Sequence, residues 1–139
     1  MCYLLIIAAP EAAAAEIRRI SVGELSTWRE TNASILAALP DNYTLYCVGV
    51  AHHCSCGCVR RSQRQQSTDS QQLVLEPDAA KMLEMAVAVA GQLAFIVHWS
   101  SGELASEEIQ ITFGPGLSRF MLLQPQTVFE TDQLIWVAA

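Results

Sequence analysis

Three apolar runs of strand length constrain the fold of this chain most strongly. They are YLLIIAA at residues 3–9, YTLYCVGV at 43–50 and LAFIVHW at 93–99. Their apolar residues are nearly continuous rather than alternating, a pattern that suits strands covered on both faces of a sheet. We therefore predict a central sheet in which these three runs are buried strands.

The segment between the second and third runs predicts a helix. EPDAAKMLEMAVAVAGQ has Pro77 in a first-turn position and Gly91 as a stop signal. Residues 85–90 are apolar all round, so we expect this helix to be covered on more than one side. Because the helix has the length of one crossover, we also predict that the second and third strands are parallel neighbours whose C-terminal ends share one edge of the sheet.

The other segments complete a single domain, residues 1–139, since 139 residues leave no room for a second core. Within residues 10–39, PEAAAAEIRRI and STWRETNASILAAL are predicted helices, whereas IQITF, LSRFMLLQ and QLIWVAA are predicted C-terminal strands. The prediction is an α/β or α+β fold around one mixed β-sheet, with a βαβ-type first part and an antiparallel C-terminal meander. A ferredoxin-like arrangement is the alternative.

Residues 60–72, RRSQRQQSTDSQQ, contain no apolar side chain. A segment that buries nothing cannot offset the entropy lost on ordering, so we predict a mobile polar loop within the domain. Such a loop is either a functional lid or interaction segment, or a tolerated surface insertion.

Composition bounds the function. A hydrophobic share of 52% against 16% charged residues favours self-association as a homodimer, with a different protein partner as the alternative. A net charge of -6 with only eight Lys and Arg argues against nucleic-acid binding. No run reaches the roughly 18 apolar residues that cross a bilayer, so we expect no membrane association. Five cysteines, an odd number, fit the reduced thiols of a cytoplasmic protein better than a disulfide framework.

The strongest functional signal is CVGVAHHCSCGC at residues 47–58, with four cysteines and two histidines. Most of it lies just beyond the predicted end of the second strand, at the sheet edge where open α/β sheets bind ligands. An extended chain would spread its alternate side chains over about 20 Å, so one metal ion requires the chain to curl, which Gly57 permits. Cys47 lies inside the strand and is predicted to be a core residue.

His98 ends the third strand and would meet this segment if the two strands were parallel neighbours. We expect the ion to be a soft metal, zinc or Cu(I). The candidate metal ligands, all with nitrogen or sulfur donors, are His52, Cys54, Cys56, Cys58 and His98.

Two other functions remain open at this stage. One is a non-enzymatic protein-interaction module in which the cysteines are structural. The other is a thiol-dependent enzyme or redox protein, in which Arg60 and Arg61 would favour a thiolate. The acidic pairs Glu107-Glu108 and Glu130-Asp132 flank predicted strands and are interpreted as solvated strand ends.

Overall fold

The computed structural model describes residues 2–50, 54–55, 57–62 and 72–139. Among these residues the strands are β1 (Cys2–Pro10), β2 (Leu25–Glu30), β3 (Tyr43–Val50), β4 (Val59–Arg61), β5 (Leu73–Leu75), β6 (Gln92–Ser100), β7 (Thr112–Phe113), β8 (Leu117–Ser118) and β9 (Gln133–Ala138). The α-helices are α1 (Ala14–Arg18), α2 (Ala33–Ala37) and α3 (Pro77–Ala90), and short 3-10 helices span Glu11–Ala13, Leu104–Ser106 and Arg119–Leu123.

Seven strands of the described chain form one mixed sheet in the order β2-β3-β1-β6-β9-β7, and β8 also pairs with β9. β1 is antiparallel to both β3 and β6, and β6 is antiparallel to β9. β4 and β5 pair with each other in a separate two-stranded sheet. The predicted α+β class with a mixed sheet is therefore confirmed.

The prediction that strands 43–50 and 93–99 are neighbours is wrong. β1 lies between them, and Leu5 is paired with Val48 on one side and with Val97 on the other. β3 and β6 do run in the same direction, as a crossover helix requires, but a crossover does not fix which slot the returning strand occupies. Because two strand spacings separate them, β3 and β6 lie about 10 Å apart.

The central strands are buried on both faces, as their continuous apolar runs predicted. Alternate side chains of β1 enter two different cores, with Leu5 and Ile7 in one and Leu4 and Ile6 in the other. The first core contains the apolar faces of α1 and α3. The second contains buried residues of α2 and of the segment 104–109.

Three local predictions differ from the structure. The sequence STWRE belongs to β2 rather than to a helix, and the alternating burial of Leu25 and Thr27 is the period of a strand. LSRFMLLQ is mostly the 3-10 helix Arg119–Leu123, in which only Leu122 is buried. In the C-terminal part β7 and β8 are short and run parallel to β9 instead of forming a regular meander.

The predicted loop 60–72 begins and ends in ordered backbone. Arg60 and Arg61 are part of β4, and the Ser62 amide donates to the Gln72 carbonyl at 2.8 Å. Residues 63–71 lie outside the described residues, so mobility of the loop stays a prediction. In the described part of the chain, no helix is long and apolar enough to cross a membrane.

Candidate functional site

The chain turns back on itself after β3. The Val50 amide donates to the Cys54 carbonyl at 3.2 Å, and the Cys58 amide donates to the Ser55 carbonyl at 2.9 Å. Gly57, with φ of +85°, supplies the left-handed conformation that this turn needs. The segment therefore curls, as a shared metal ion would require. Two predicted ligands, His52 and Cys56, lie outside the described residues.

Ser55 anchors this turn in the sheet. Its buried hydroxyl accepts from the Leu5 amide at 2.9 Å and donates to the Val48 carbonyl. It thereby satisfies backbone groups of β1 and β3 at the point where the two strands separate. The Cys58 thiol is fully buried and lies 3.7 Å from the same Val48 carbonyl, so its side chain points into the core.

Gly49 allows the close approach of this turn to β3. A Cβ atom at this position would lie 1.9 Å from the Cys54 carbonyl oxygen and 2.9 Å from the Trp28 ring. No side chain fits at such distances, so the glycine is required by backbone contact rather than by its own conformation.

His98 lies between two carboxylates instead of facing the cysteines. Its Nδ1 is 2.7 Å from Asp132 Oδ1, and its Nε2 is 2.5 Å from Glu107 Oε2. The Ser100 hydroxyl donates to the other Glu107 oxygen at 2.6 Å. β1 separates this cluster from the end of β3, since Leu4 is the partner of His98 in the sheet. The predicted convergence of His98 with the cysteine segment is therefore wrong.

The two carboxylates favour the protonated form of the ring. Burial disfavours the charged imidazole, but hydrogen bonds from the ring to Glu107 and Asp132, with the attraction of both charges, outweigh it and raise the pKa of His98. The pKa of Glu107 is lowered, first by its hydrogen bond from Ser100 and then by His98, against the effect of burial. The cluster is a charge-assisted clamp that joins β6 to the segment after it and to the turn before β9.

This clamp limits the chemistry of His98. Both ring nitrogens already have carboxylate partners, so the ring can accept a substrate proton or bind a metal only after losing one of them. Ser100 donates to Glu107 and not to the ring, so among the described residues no serine nucleophile is paired with this histidine. Within the described ranges, no group of three or more His, Cys, Asp and Glu side chains is arranged to hold a metal ion.

Glu107 and Asp132 were missed as functional partners by the sequence interpretation, which treated both acidic pairs as solvated. One acid of each pair reaches His98, while Glu108 stays exposed. The left-handed Asp132, with φ of +59°, donates its amide to the Val97 carbonyl at 2.8 Å and so brings its carboxylate beside the next residue of β6. The sequence signal that could have indicated this role is the position of Asp132, in a turn directly before a strand.

Two of the four cysteines in the described part of the chain are core residues. Cys2 and Cys54 are partly exposed, whereas Cys47 and Cys58 are buried. Burial raises the pKa of the Cys47 thiol, with smaller contributions from Glu30 and Cys2, so this thiol stays protonated. The predicted core position of Cys47 is confirmed.

Exposed apolar side chains concentrate in one part of the chain, between β7 and β9. Of eight large hydrophobic residues that are exposed in the described part of the chain, five fall within residues 113–128. We call these five side chains the edge surface: Phe113, Phe120, Met121, Leu123 and Val128. They lie on β7, on the 3-10 helix after β8, and on the segment that leads back toward β9. Comparisons of the chain with protein-family models, curated proteins and solved structures find no match.

Proposed function

We propose that this protein is a non-enzymatic interaction module that associates with a second copy of itself through the edge surface. The observation that carries the proposal is the exposure of Phe120 and Phe113, at 78% and 65%, within one short part of the chain. Apolar side chains exposed singly are normal, but a concentration of them in one short part of the chain is typical of an interaction site. A different protein partner on the same surface is the alternative occupant.

Charge favours a second copy as the occupant. Residues 113–128 contain one charged side chain, Arg119. Its guanidinium donates to Glu84 Oε1 at 2.8 and 2.6 Å, and this hydrogen bond lowers the pKa of Glu84 against the effect of burial. The chain as a whole carries -6, so two copies repel each other over most of their surfaces. The edge surface contains no acidic side chains, so this repulsion opposes association least there.

The histidine and thiol chemistry of the described residues supports a role other than catalysis. His98 has both ring nitrogens engaged, and the Cys47 and Cys58 side chains are buried from solvent. Arg60, which was expected to favour a thiolate, pairs with Glu76 at 2.8 Å. A cytoplasmic location, in which the thiols stay reduced, belongs to this proposal.

The test compares two apolar side chains that are equally exposed but lie in different parts of the fold. Leu123 in the edge surface and Val89 at the end of α3 are both 48% exposed, so Asp at either position leaves the buried core unchanged. We expect sedimentation analysis to give a dimer for the unmodified protein and for Val89→Asp, and a monomer for Leu123→Asp. Burying half of a leucine in each copy contributes about 1.5–3 kcal/mol per dimer, so the dissociation constant of Leu123→Asp should be at least about tenfold higher.

Other outcomes contradict the proposal. A monomer at high concentration before any substitution excludes self-association. If Val89→Asp dissociates the dimer and Leu123→Asp does not, the contact is made by α3 and the edge surface is not the interface. Far-ultraviolet circular dichroism of each variant checks that the fold is retained.

A second candidate function is binding of a soft metal, zinc or Cu(I), by the segment 52–58. The curl of the chain at Gly57 favours it, because extended alternate residues could not share one ion. Cys54 is partly exposed, and His52 and Cys56 complete the donor set that would hold the ion. Binding by Cys58 would require it to leave the core, and binding by His98 would cost a carboxylate contact.

Metal content of the purified protein tests this second candidate. We expect about one zinc or copper per chain, lost when Cys54 and Cys56 are both changed to Ser and retained in Cys2→Ser. Metal-free protein that also takes up no added zinc rejects the metal site. Loss of metal in Cys2→Ser would place the site elsewhere.

A further inference from the structure

A cavity of about 400 Å³ opens beside the 3-10 helix Leu104–Ser106. Its walls come from β1, β2 and β3 at one end of the sheet and from the segment that follows β6. This volume is within the usual range of small-molecule sites, roughly 300–1,000 Å³. None of the five side chains of the edge surface lines the cavity, so the cavity is separate from the proposed interface.

The residues that line the cavity combine an apolar body with negative charge. Leu4 and the protonated Cys47 thiol form an apolar part of the wall, and the Trp28 indole forms an aromatic part. Glu30 and Glu103 contribute two carboxylates, and none of the lining residues of the described chain is Lys, Arg or His. A negatively charged ligand is therefore disfavoured, and a positively charged one is attracted.

The indole and one carboxylate are held in place before any ligand binds. The Trp28 Nε1 donates to Glu30 Oε1 at 3.0 Å. The far end of the indole packs against Gly49, where even a methyl group would come within 2.9 Å of the ring. Glu103 accepts from the Ser106 hydroxyl at 3.4 Å. Recognition groups that are already ordered lose little entropy on binding.

We propose that this cavity binds a small organic cation, with Glu30 and Glu103 attracting its charge and Trp28 contacting it through the aromatic ring. An ammonium group next to an indole gains a cation–π attraction in addition to the attraction of the carboxylates. The apolar wall suits methyl or methylene groups attached to the ammonium nitrogen. A bare divalent ion fits less well, because the described residues contain no group of carboxylates arranged to hold a metal.

Calorimetric titration with choline tests the proposal on the full chain. The comparison ligand is the neutral isostere of choline in which carbon replaces the quaternary nitrogen. We expect choline to bind at millimolar concentration or below and the isostere to bind much more weakly. Removing the indole with Trp28→Leu should weaken choline binding roughly 2- to 30-fold, the range of a cation–π contact.

The carboxylate contribution is tested by a matched pair of variants. Glu30→Gln removes one charge but keeps an oxygen that can accept from Trp28, whereas Glu24→Gln removes an exposed charge outside the cavity. We expect only Glu30→Gln to weaken choline binding, by several-fold. Equal binding of the isostere, equal weakening in Glu24→Gln, or no choline binding at millimolar concentration would overturn the proposal. Displacement of choline by Ca²⁺ would reassign the cavity to an inorganic ion.

Discussion

Replacing His98 with Leu should destabilise the fold by an amount that depends on pH. The substitution removes both contacts of the clamp, the one to Asp132 at 2.7 Å and the one to Glu107 at 2.5 Å. A hydrogen bond to a charged group contributes about 1.5–3 kcal/mol, so the two together give about 3–6 kcal/mol. The Asp132 side chain is 33% exposed and water can replace part of its contact, which favours the lower end, about 3–4 kcal/mol.

The pH dependence follows from the direction of each shift. The pKa of His98 is raised above its ordinary 6.5, so its contribution is complete below pH 6.5 and is lost as the pH rises through the folded pKa. The pKa of Glu107 is lowered from 4.5, so its contribution is complete above pH 4.5 and is lost as the pH falls through the folded pKa. The clamp should stabilise most between these two values.

Urea unfolding followed by circular dichroism measures this effect. We expect the difference in unfolding free energy between the unmodified protein and His98→Leu to be largest near pH 6 and to shrink at alkaline pH. Glu107→Gln keeps an acceptor but loses a charge, so it should be intermediate at pH 6. A difference that stays below about 1 kcal/mol, or that does not change with pH, would refute the reasoning for a charged clamp.

Two further substitutions test how the segments around the sheet are attached. Asn32→Ala removes a buried side chain that donates to two backbone carbonyls and accepts from the Ile35 amide. We expect urea unfolding to show a free energy of unfolding lower by about 2–4 kcal/mol. The exposed neighbour Thr31→Ala should change it little. Gly49→Ala places a methyl group against the Cys54 backbone and should cost about 1–3 kcal/mol while speeding the reaction of Cys54 with a thiol reagent. In Gly116→Ala the added methyl carbon would lie 3.9 Å from its nearest neighbour, so this variant should change neither the stability nor the reactivity of Cys54. Equal effects of the two glycine variants would contradict the packing argument.

The elements that sequence alone predicted well are those specified by local signals. The run at 43–50 is β3 within the same bounds, and the predicted helix is α3 with Pro77 at its first residue and Gly91 as its cap. The runs at 3–9 and 93–99 are β1 and β6, each one residue longer at both ends. Continuous apolar composition, proline and glycine act within a few residues, so they can be interpreted without knowledge of the rest of the chain.

Strand order could not be obtained in the same way. Every strand offers the same backbone donors and acceptors, so a run of apolar residues does not say which strand will lie beside it. β2 was missed because STWRE continues into a good helix-forming sequence, and its alternating burial appears only when it pairs with β3. The incorrect neighbour assignment then placed His98 next to the cysteines, and its true partners, Glu107 and Asp132, were left as surface charges.

Contacts that sequence could not predict also hold one wall of the proposed ligand site in place. The Asn32 amide donates to the carbonyls of Leu104 and Glu107, at 2.7 and 2.8 Å, across 72 and 75 residues of chain. The same Glu107 is held by His98 through its side chain. These bonds fix the segment after β6 over the second face of the sheet, where Leu104 enters the core and the cavity remains beside it. The Asn32 bonds join segments that are far apart in the chain, so they have no local sequence signature, and the cavity exists only once β1, β2 and β3 are assembled beside this segment.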